Sequence, residues 1–332
     1  MLKKDWFINS RGVLACLFAT LLSAQVHADY SAHPDAAAFV DKVVEKHELD
    51  REWVTALLAE AERKESILKA ISRPAEKALA WHEYRDIFLT GSRLQGGLAF
   101  WEKHKQTLQR AEQVFGVPAQ IIVAIIGVET RYGGNMGSYR VLDALATLGF
   151  DYPKRSPFFL GQLEQFLLLV REQAFEPLSL KGSYAGAMGY GQFIPSSYRH
   201  YALDFDDDGV VDILSNPVDA IGSVANYFAK HGWRQGEAVV VPAVMLRSAP
   251  RDWLNDGLKP ERSMAALREN GFAPRDPLDY EGPANVMRFQ LEQSEEIWLG
   301  LKNFYVITRY NHSRLYAMAV YQLSEQLKEH RP

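Results

Sequence analysis

The feature that most constrains the fold is a run of eight apolar residues that ends in an acid. Residues 121–128 read Ile-Ile-Val-Ala-Ile-Ile-Gly-Val and are followed by Glu129. Pro118 suits the first helical position, so the pattern predicts a helix that begins there and stops at Gly133-Gly134. Because this helix is apolar on every face, it must lie inside a hydrophobic core. The chain is therefore expected to fold around a buried helix that carries a carboxyl group at its end.

The composition is that of a folded globular protein. Of 332 residues, 47% are hydrophobic and 23% are charged, and these fractions exclude a disordered chain and a collagen-like one. Lys and Arg number 37 against 41 Asp and Glu, for a net charge of −4. This balance gives no indication of nucleic-acid binding, which needs an excess of basic residues.

The first 28 residues have the pattern of a secretory signal. A basic start precedes an apolar stretch over residues 13–22, and small residues lead up to a cleavage site after Ala28. The apolar stretch is too short to cross a membrane as a stable helix. We therefore expect export to the periplasm, with no transmembrane segment in the mature protein.

Cysteine usage restricts the chemistry further. Cys16 is the only cysteine and lies inside the signal, so the mature chain has neither a catalytic thiol nor a disulfide nor a Cys-ligated zinc. Residues 14–16 have some similarity to a lipid-attachment site. The apolar stretch continues beyond them, however, which favours a soluble protein over one anchored at Cys16.

Hydrophobic spacing predicts a mainly α protein with a minor β portion. Apolar residues recur at helical intervals over residues 34–72, 98–115, 142–148, 161–171 and 310–327, and a further helix is expected from Asn216-Pro217 to His231-Gly232. Residues 238–246 and 286–292 have β character instead. We divide the chain into a signal peptide (1–28), an N-terminal helical region (29–100), a catalytic core (101–236), a small β-containing insert (237–295) and a C-terminal helical segment that completes the groove (296–332).

Glu129 is the strongest catalytic candidate. The sequence has no nucleophile elbow, no zinc-binding His-Glu-x-x-His, no P-loop and no dinucleotide fingerprint. A carboxyl group at the end of an apolar helix is partly desolvated, which raises its pKa and lets it donate a proton near neutral pH. The alternative is a structural ion pair with Arg131 or Arg140.

A glycine-rich loop over residues 182–192 is the second candidate. Its glycines allow close approach of the backbone to a ligand and positive φ angles. Its tyrosines, Ser183 and Gln192 suit a sugar, which presents apolar ring faces edged by hydroxyl groups. The alternative is a turn that serves only close packing of helices.

An acidic loop follows, with the spacing of a calcium-binding loop. Asp204, Asp206 and Asp208 alternate before Gly209, and such a run directs oxygen ligands at one centre. A standard loop has Glu at position twelve; Ser215 stands there, and Asp219 could close the site instead. The alternatives are a solvated acidic turn and, for Asp219, a capping role in the following helix. We favour Ca²⁺ over Mg²⁺ because several ligands come from one flexible loop.

Three stretches resemble the lytic murein transglycosylase B family, glycoside hydrolase family 103. They are GVETRYG at residues 127–133, KGSYAGAMGYGQFIPSSY at residues 181–198 and RYNHS at residues 309–313. The similarity extends over about residues 39–327. It implies a lysozyme-like helical core with an additional helical portion and a small β portion. It also implies lytic cleavage of the β-1,4 bond between N-acetylmuramic acid and N-acetylglucosamine in peptidoglycan, with 1,6-anhydromuramyl products, by a soluble member of the family.

The resemblance also implies roles for individual residues. Glu129 matches the family's single acid/base, and Ser183 and Gln192 match polar groups that line the cleavage site. The residues that fall where the family lines its groove are Tyr84, Tyr227, Tyr310, Asn311 and Tyr316. Those that fall on its EF-hand-like calcium loop are Asp204, Asp206, Asp208, Val210 through its carbonyl, and Asp219. The calcium ion is expected to be structural, no organic cofactor is expected, and the peptidoglycan strand is the expected partner.

A lone acid restricts the mechanism. Glycosidases ordinarily use two carboxylates, and neither the segment around Glu129 nor the glycine-rich loop supplies a second one. Glu129 would then act first as acid and afterwards as base, while the substrate's acetamido oxygen and its O6 hydroxyl act as internal nucleophiles. Two alternatives stay open: a hydrolytic muramidase on the same core, and a non-catalytic, calcium-stabilised peptidoglycan-binding protein.

Overall fold

The structure is a computed structural model that describes residues 29–72 and 79–331. The signal peptide, its cleavage site after Ala28 and the lipid-anchor question at Cys16 lie outside these residues.

The described chain is mainly helical, as expected. Its helices are α1 (Ala36–His47), α2 (Arg51–Glu60), α3 (Glu65–Ile71), α4 (Trp81–Phe88), α5 (Gly91–Lys103), α6 (Lys105–Phe115), α7 (Ala119–Thr130), α8 (Val141–Asp151), α9 (Ser156–Gln173), α10 (Pro195–Tyr201), α11 (Pro217–Lys230), α12 (Met264–Glu269), α13 (Lys302–Tyr310) and α14 (Arg314–His330).

The apolar run forms α7, which is buried along its length between α5, α6, α11 and α14. Pro118 is the N-cap of this helix and not its first residue. The predicted stop at Gly133 is wrong: the helix ends at Thr130, because Arg131 and Tyr132 both adopt left-handed conformations with φ of 52° and 62°. Glu129 therefore lies in the last helical turn and not in the middle of a longer helix.

Two hydrophobic cores hold the helices together. One surrounds α7 and includes residues of α4, α5, α6, α11, α13 and α14. The other joins α1, α2 and α3 to α8 and α9. The region that we predicted as one N-terminal unit, 29–100, contributes to both: residues 30–71 pack in the second core, and residues 81–101 pack in the first. Tyr190 and Tyr310 contact both cores, so they mark the line where the two meet.

The insert contains an antiparallel four-stranded sheet in the order β4-β3-β6-β5. Its strands are β3 (Val240–Met245), β4 (Phe272–Pro274), β5 (Asn285–Gln290) and β6 (Glu295–Gly300). The sheet therefore continues to Gly300, past the predicted insert boundary at 295. It has its own core with α12, around Met264 and Phe272. A separate two-stranded pairing joins β1 (Tyr139–Arg140) to β2 (Lys181–Gly182), just before the glycine-rich loop.

Two segments that we predicted as continuous helices are interrupted. The helix expected over residues 98–115 is divided at His104 into α5 and α6. The helix expected over residues 310–327 is divided by Asn311, which is extended, and by Ser313, whose hydroxyl caps α14 by accepting from the Tyr316 amide at 3.3 Å. The second break places Tyr310 at one helix end and Tyr316 at the start of the next.

Within the described residues, no single helix is both long and apolar enough to cross a membrane. The pair α6 and α7 meets that criterion only when the two helices are taken together, and they are bent by 114°.

Candidate active site

Glu129 is half-buried at the end of α7, and its carboxyl group contacts a tyrosine from the far end of the chain. The Tyr316 hydroxyl donates to Glu129 Oε1 at 2.5 Å. Burial raises the pKa of Tyr316 well above its usual value, and the negative charge of Glu129 adds to the rise. The phenol therefore stays protonated and remains a donor to this carboxylate. Arg140, one of the alternative partners for Glu129, instead pairs with Asp143 at 2.8 Å.

The other tyrosines expected in the groove are packed behind this pair. Burial raises the pKa of Tyr310, and Glu129 contributes to the rise, so these groups are close in space. The Tyr310 hydroxyl donates to the Gly191 carbonyl at 2.5 Å, and its ring lies 4.8 Å from that of Tyr227. Tyr227 donates to the Arg309 carbonyl at 2.5 Å. These contacts connect α11, α13 and the glycine-rich loop close to Glu129.

The degree of burial restricts what these rings can do. Tyr84, Tyr227 and Tyr316 are exposed by only 1%, 7% and 2%. Rings this buried offer almost no face on which a sugar could stack. Tyr184 and Tyr190 of the glycine-rich loop are only partly buried and are better placed for such contacts.

The glycine-rich loop is fixed to the end of α7 through Thr130. The Thr130 hydroxyl lies within donating distance of two carbonyls, those of Tyr190 at 3.0 Å and Ile126 at 3.1 Å, and accepts from the Gly133 amide at 3.0 Å. Gly133 has a φ of 88°, and a Cβ there would lie 2.2 Å from the Tyr190 ring. Thr130 lies in the GVETRYG stretch, but the sequence analysis predicted no role for it.

Ser183 and Gln192 each have a fixed orientation within this loop. The Ser183 Oγ accepts from the amides of Ala185 and Ala187 at 3.3 and 3.2 Å. Its acceptor capacity is thus used by the backbone, and its hydroxyl proton is available to a ligand. Gln192 donates from Nε2 to the carbonyls of Met136 and Gly189 at 3.2 and 3.0 Å, which leaves its own carbonyl as the acceptor. The two side chains therefore offer one donor and one acceptor.

Two hydrogen bonds with Arg93 fix the turn after Glu129, and the sequence did not indicate them. Tyr132 donates to the Arg93 carbonyl at 2.8 Å, and the buried Arg93 guanidinium donates to the Gly127 carbonyl. A Cβ on Gly127 would lie only 2.5 Å from the Tyr132 hydroxyl. Gly127 is therefore needed for this left-handed turn to fold back on α7.

The acidic loop brings three of its five expected ligands together. Carboxylate oxygens of Asp204, Asp206 and Asp219 lie within 4.8 Å of one another, a separation that one Ca²⁺ with oxygen ligands at 2.3–2.6 Å can bridge. Asp208 bonds within the loop to the Val210 amide at 2.8 Å, and Val210 is 53% exposed. Asp208 is not one of the three clustered carboxylates.

Asp219 fixes the backbone of the acidic loop. It is fully buried and accepts from the amides of Phe205 and Asp212 at 2.7 and 2.8 Å, and not from the cap of its own helix. Burial raises its pKa, and the charges of Asp206 and Asp204 add to the rise. An all-oxygen donor set with mutual repulsion fits a hard cation such as Ca²⁺.

The chain is similar to known proteins over almost its whole described length. Residues 31–325 match the family model of the transglycosylase SLT domain. The membrane-bound lytic murein transglycosylase B of Escherichia coli K12 is 47% identical over 310 residues, which cover 91% of this chain and 84% of that relative.

Two solved structures show the same fold. The catenated lytic transglycosylase SltB1 of Pseudomonas aeruginosa matches with a TM-score of 0.87 and 52% identity, over 92% of this chain and all of that one. The Escherichia coli lytic transglycosylase Slt35 in complex with calcium matches with a TM-score of 0.83 and 47% identity, over 91% of this chain and 95% of that one. The resemblance to lysozyme-like transglycosylases seen in the sequence is thereby confirmed, and the chain belongs to the lytic transglycosylase family defined by this SLT domain.

Proposed function

We propose that this chain is a peptidoglycan lytic transglycosylase with Glu129 as its single acid and base. Its substrate is the β-1,4 bond between N-acetylmuramic acid and N-acetylglucosamine, and its product carries a 1,6-anhydromuramyl end. The observation that carries the proposal is the Tyr316 hydroxyl at 2.5 Å from Glu129 Oε1, at the end of a helix buried in the core. Family membership supports the activity, and this contact supports the role of the residue.

In the first step Glu129 donates its proton to the glycosidic oxygen, and the bond from that oxygen to the anomeric carbon breaks. The acetamido carbonyl oxygen of the muramic residue stabilises the positive charge that develops on the carbon. Glu129 is now ionised. Tyr316 stabilises this form, because a hydrogen bond to a charged acceptor is roughly twice as strong as one to a neutral acceptor.

In the second step the carboxylate takes the proton from the muramic O6 hydroxyl. O6 then attacks the anomeric carbon and closes the 1,6-anhydro ring, which restores the protonated Glu129. No water is consumed. The proton that Glu129 gave to the leaving oxygen is replaced by the proton from O6, and O6 takes the place of the leaving oxygen on the anomeric carbon. The proton that Ser183 can donate is suited to the acetamido carbonyl, and the Gln192 carbonyl to a sugar hydroxyl or amide.

Calcium belongs to this proposal as a structural ion held by Asp204, Asp206 and Asp219. The related Slt35 structure was determined in complex with calcium. In this chain Asp204 and Asp206 lie on the loop before α11, while Asp219 and Tyr227 lie on α11 itself. The ion would stabilise that loop and take no part in proton transfer.

We also propose that the mature protein acts in the periplasm without a lipid anchor. The pattern of residues 1–28 supports export. Labelling with a radioactive fatty acid, followed by fractionation, tests this: recovery of label on Cys16 would contradict it.

Digestion of purified sacculi tests the reaction. Mass spectrometry should find muropeptide ends that are one water lighter than reducing ends, and Glu129→Gln should produce neither kind. Reducing ends from the unaltered enzyme would identify a hydrolytic muramidase. Binding to sacculi without soluble products would identify a non-catalytic binding protein.

A further inference from the structure

The end of α7 and the glycine-rich loop are anchored to different parts of the fold. The Tyr132 hydroxyl donates to the Arg93 carbonyl at 2.8 Å, which fixes the end of α7 to α5. The loop is fixed elsewhere: the Tyr190 amide donates to the Ile213 carbonyl at 3.1 Å, ahead of α11. Glu129 therefore lies on one of these parts, and the loop residues proposed to hold the sugar lie on the other.

Thr130 joins the two parts directly beside the catalytic acid. Its hydroxyl lies 3.0 Å from the Tyr190 carbonyl and 3.1 Å from the Ile126 carbonyl. A hydroxyl has one proton to donate, and the Ile126 carbonyl already accepts from the Tyr132 amide at 3.3 Å. We therefore assign the proton to the Tyr190 carbonyl, which makes this a bond between α7 and the loop.

The oxygen atoms of Thr130 also fix the turn that follows Glu129. The Thr130 hydroxyl accepts from the Gly133 amide at 3.0 Å, and the Thr130 carbonyl accepts from the Asn135 amide at 2.8 Å. Thr130 is only 1% exposed, so water is poorly placed to replace its hydroxyl. Loss of that hydroxyl would therefore remove one bond to the loop and one bond within the turn.

The turn and the loop are in close contact beyond Thr130. A Cβ on Gly137 would lie 2.1 Å from the Gly182 carbonyl and 2.5 Å from the Ser183 amide nitrogen. Gln192 adds a hydrogen bond from its Nε2 to the Met136 carbonyl at 3.2 Å. The two loop side chains proposed to hold the sugar thus adjoin the turn, and their distance from the catalytic acid depends on how the turn is held.

We propose that Thr130 is a positioning residue, whose hydroxyl sets the distance between the Glu129 carboxyl group and a sugar held by the loop. The inference rests on the proposed function. Thr130 is too buried to contact a sugar and acts through the two segments that it joins. Proton transfer requires hydrogen-bond reach, and a misplacement of about 1 Å can lower a rate about a hundredfold. Loss of the hydroxyl therefore slows the chemical step, while the loop keeps its own contacts with the sugar.

Thr130→Val tests the proposal, because it removes the hydroxyl and keeps the shape of the side chain. Initial rates on soluble glycan strands give kcat and KM, and calorimetry in a Glu129→Gln background gives the Kd for the same strands. We expect kcat to fall about ten- to hundredfold, with KM and Kd nearly unchanged. Thr130→Ser keeps the hydroxyl and should retain most of kcat.

Thr147→Val is the matched control. Thr147 is fully buried in the second core, and its hydroxyl also joins two segments: it accepts from the Lys64 amide at 3.0 Å and lies 3.4 Å from the Glu62 carbonyl. This variant should lose stability in urea and retain kcat, which separates a general cost of losing a buried hydroxyl from an effect on the reaction.

An unchanged kcat in folded Thr130→Val would overturn the proposal. A Kd weakened as far as kcat would also overturn it, since the hydroxyl would then act on sugar binding by the loop, as would an equal loss of kcat in Thr130→Ser. If Thr130→Val does not fold, Thr130→Cys, which keeps a weak donor, takes its place with the same expected fall in kcat. The product masses from sacculi test the proposed reaction separately, because they are measured on the unaltered enzyme.

Discussion

Replacing Tyr316 by Phe tests the role of the catalytic pair most directly. The substitution removes one hydroxyl and leaves the buried ring in place. The Tyr316 hydroxyl donates to Glu129 Oε1 at 2.5 Å, and this acceptor becomes charged once Glu129 has given up its proton. Such bonds contribute about 1.5–3 kcal/mol, which corresponds to about a ten- to hundredfold fall in kcat. Tyr316 is only 2% exposed, so water is poorly placed to substitute for the lost hydroxyl.

The assay is the rate of release of anhydromuropeptides from sacculi, measured from pH 5 to pH 9. The pKa of Tyr316 lies well above its usual value because of burial and the charge of Glu129. The phenol is therefore protonated throughout this range, so the fall in kcat comes from the lost hydrogen bond and not from titration of Tyr316.

Tyr198→Phe provides the control. Tyr198 is equally buried, in the second hydrophobic core, and donates to the Val211 carbonyl at 2.7 Å. The control should lose stability by about 1 kcal/mol and retain kcat. If Tyr316→Phe retained full kcat while folded, the contact would have no part in the reaction. If its kcat fell as far as that of Glu129→Gln, the hydroxyl itself would be transferring the proton.

Three further predictions concern stability and metal. Gly127→Ala should lower the free energy of unfolding by about 1–3 kcal/mol, because its Cβ would meet the Tyr132 hydroxyl at 2.5 Å; urea denaturation measures this, and an unchanged midpoint would contradict it. A chelator should lower the Tm of the unaltered enzyme but not that of Asp219→Asn, while turnover at 25 °C persists; loss of turnover in folded enzyme would assign the ion a catalytic role. Burial acts to raise the pKa of Glu164, but hydrogen bonds from two lysines and a histidine outweigh it and lower the pKa to about 2. Its contribution to stability is therefore present at pH 7 and is lost as the pH falls from about 4.5 towards 2. Glu164→Gln should accordingly be less stable than the unaltered protein in urea at pH 7 but not at pH 2, and a deficit that persists at pH 2 would refute this.

The sequence predicts well what is local. The periodicity of residues 121–128 identifies the buried helix, and the alternation over 286–292 identifies β5 in its correct place. The helix breaks are harder, because they depend on tertiary contacts. The break before α14 is marked only by Ser313, a residue type that often caps helices, and the turn after Thr130 packs against Arg93, which binds the Gly127 carbonyl from a different helix.

Prediction of the site residues is limited in the same way, because contacts made only through tertiary packing leave no local signal in the sequence. Glu129 stands out because its neighbours in sequence are apolar. Tyr316 does not stand out, since its partner is 187 residues away and only the packing of α14 on α7 brings the two together. The clustering of Asp219 with Asp204 and Asp206 agrees with its expected place in the loop, whereas the burial of Tyr84 and Tyr227 required the structure.

The distance along the chain between Glu129 and Tyr316 has a consequence for when the enzyme becomes active. Synthesis proceeds from the N-terminus, so Glu129 is made long before Tyr316, which donates to it. A chain that ends before α14 lacks the hydrogen bond between Tyr316 and Glu129. It also lacks the packing of α14 against α7. The contact that we propose for catalysis is therefore complete only when the last helix has been made.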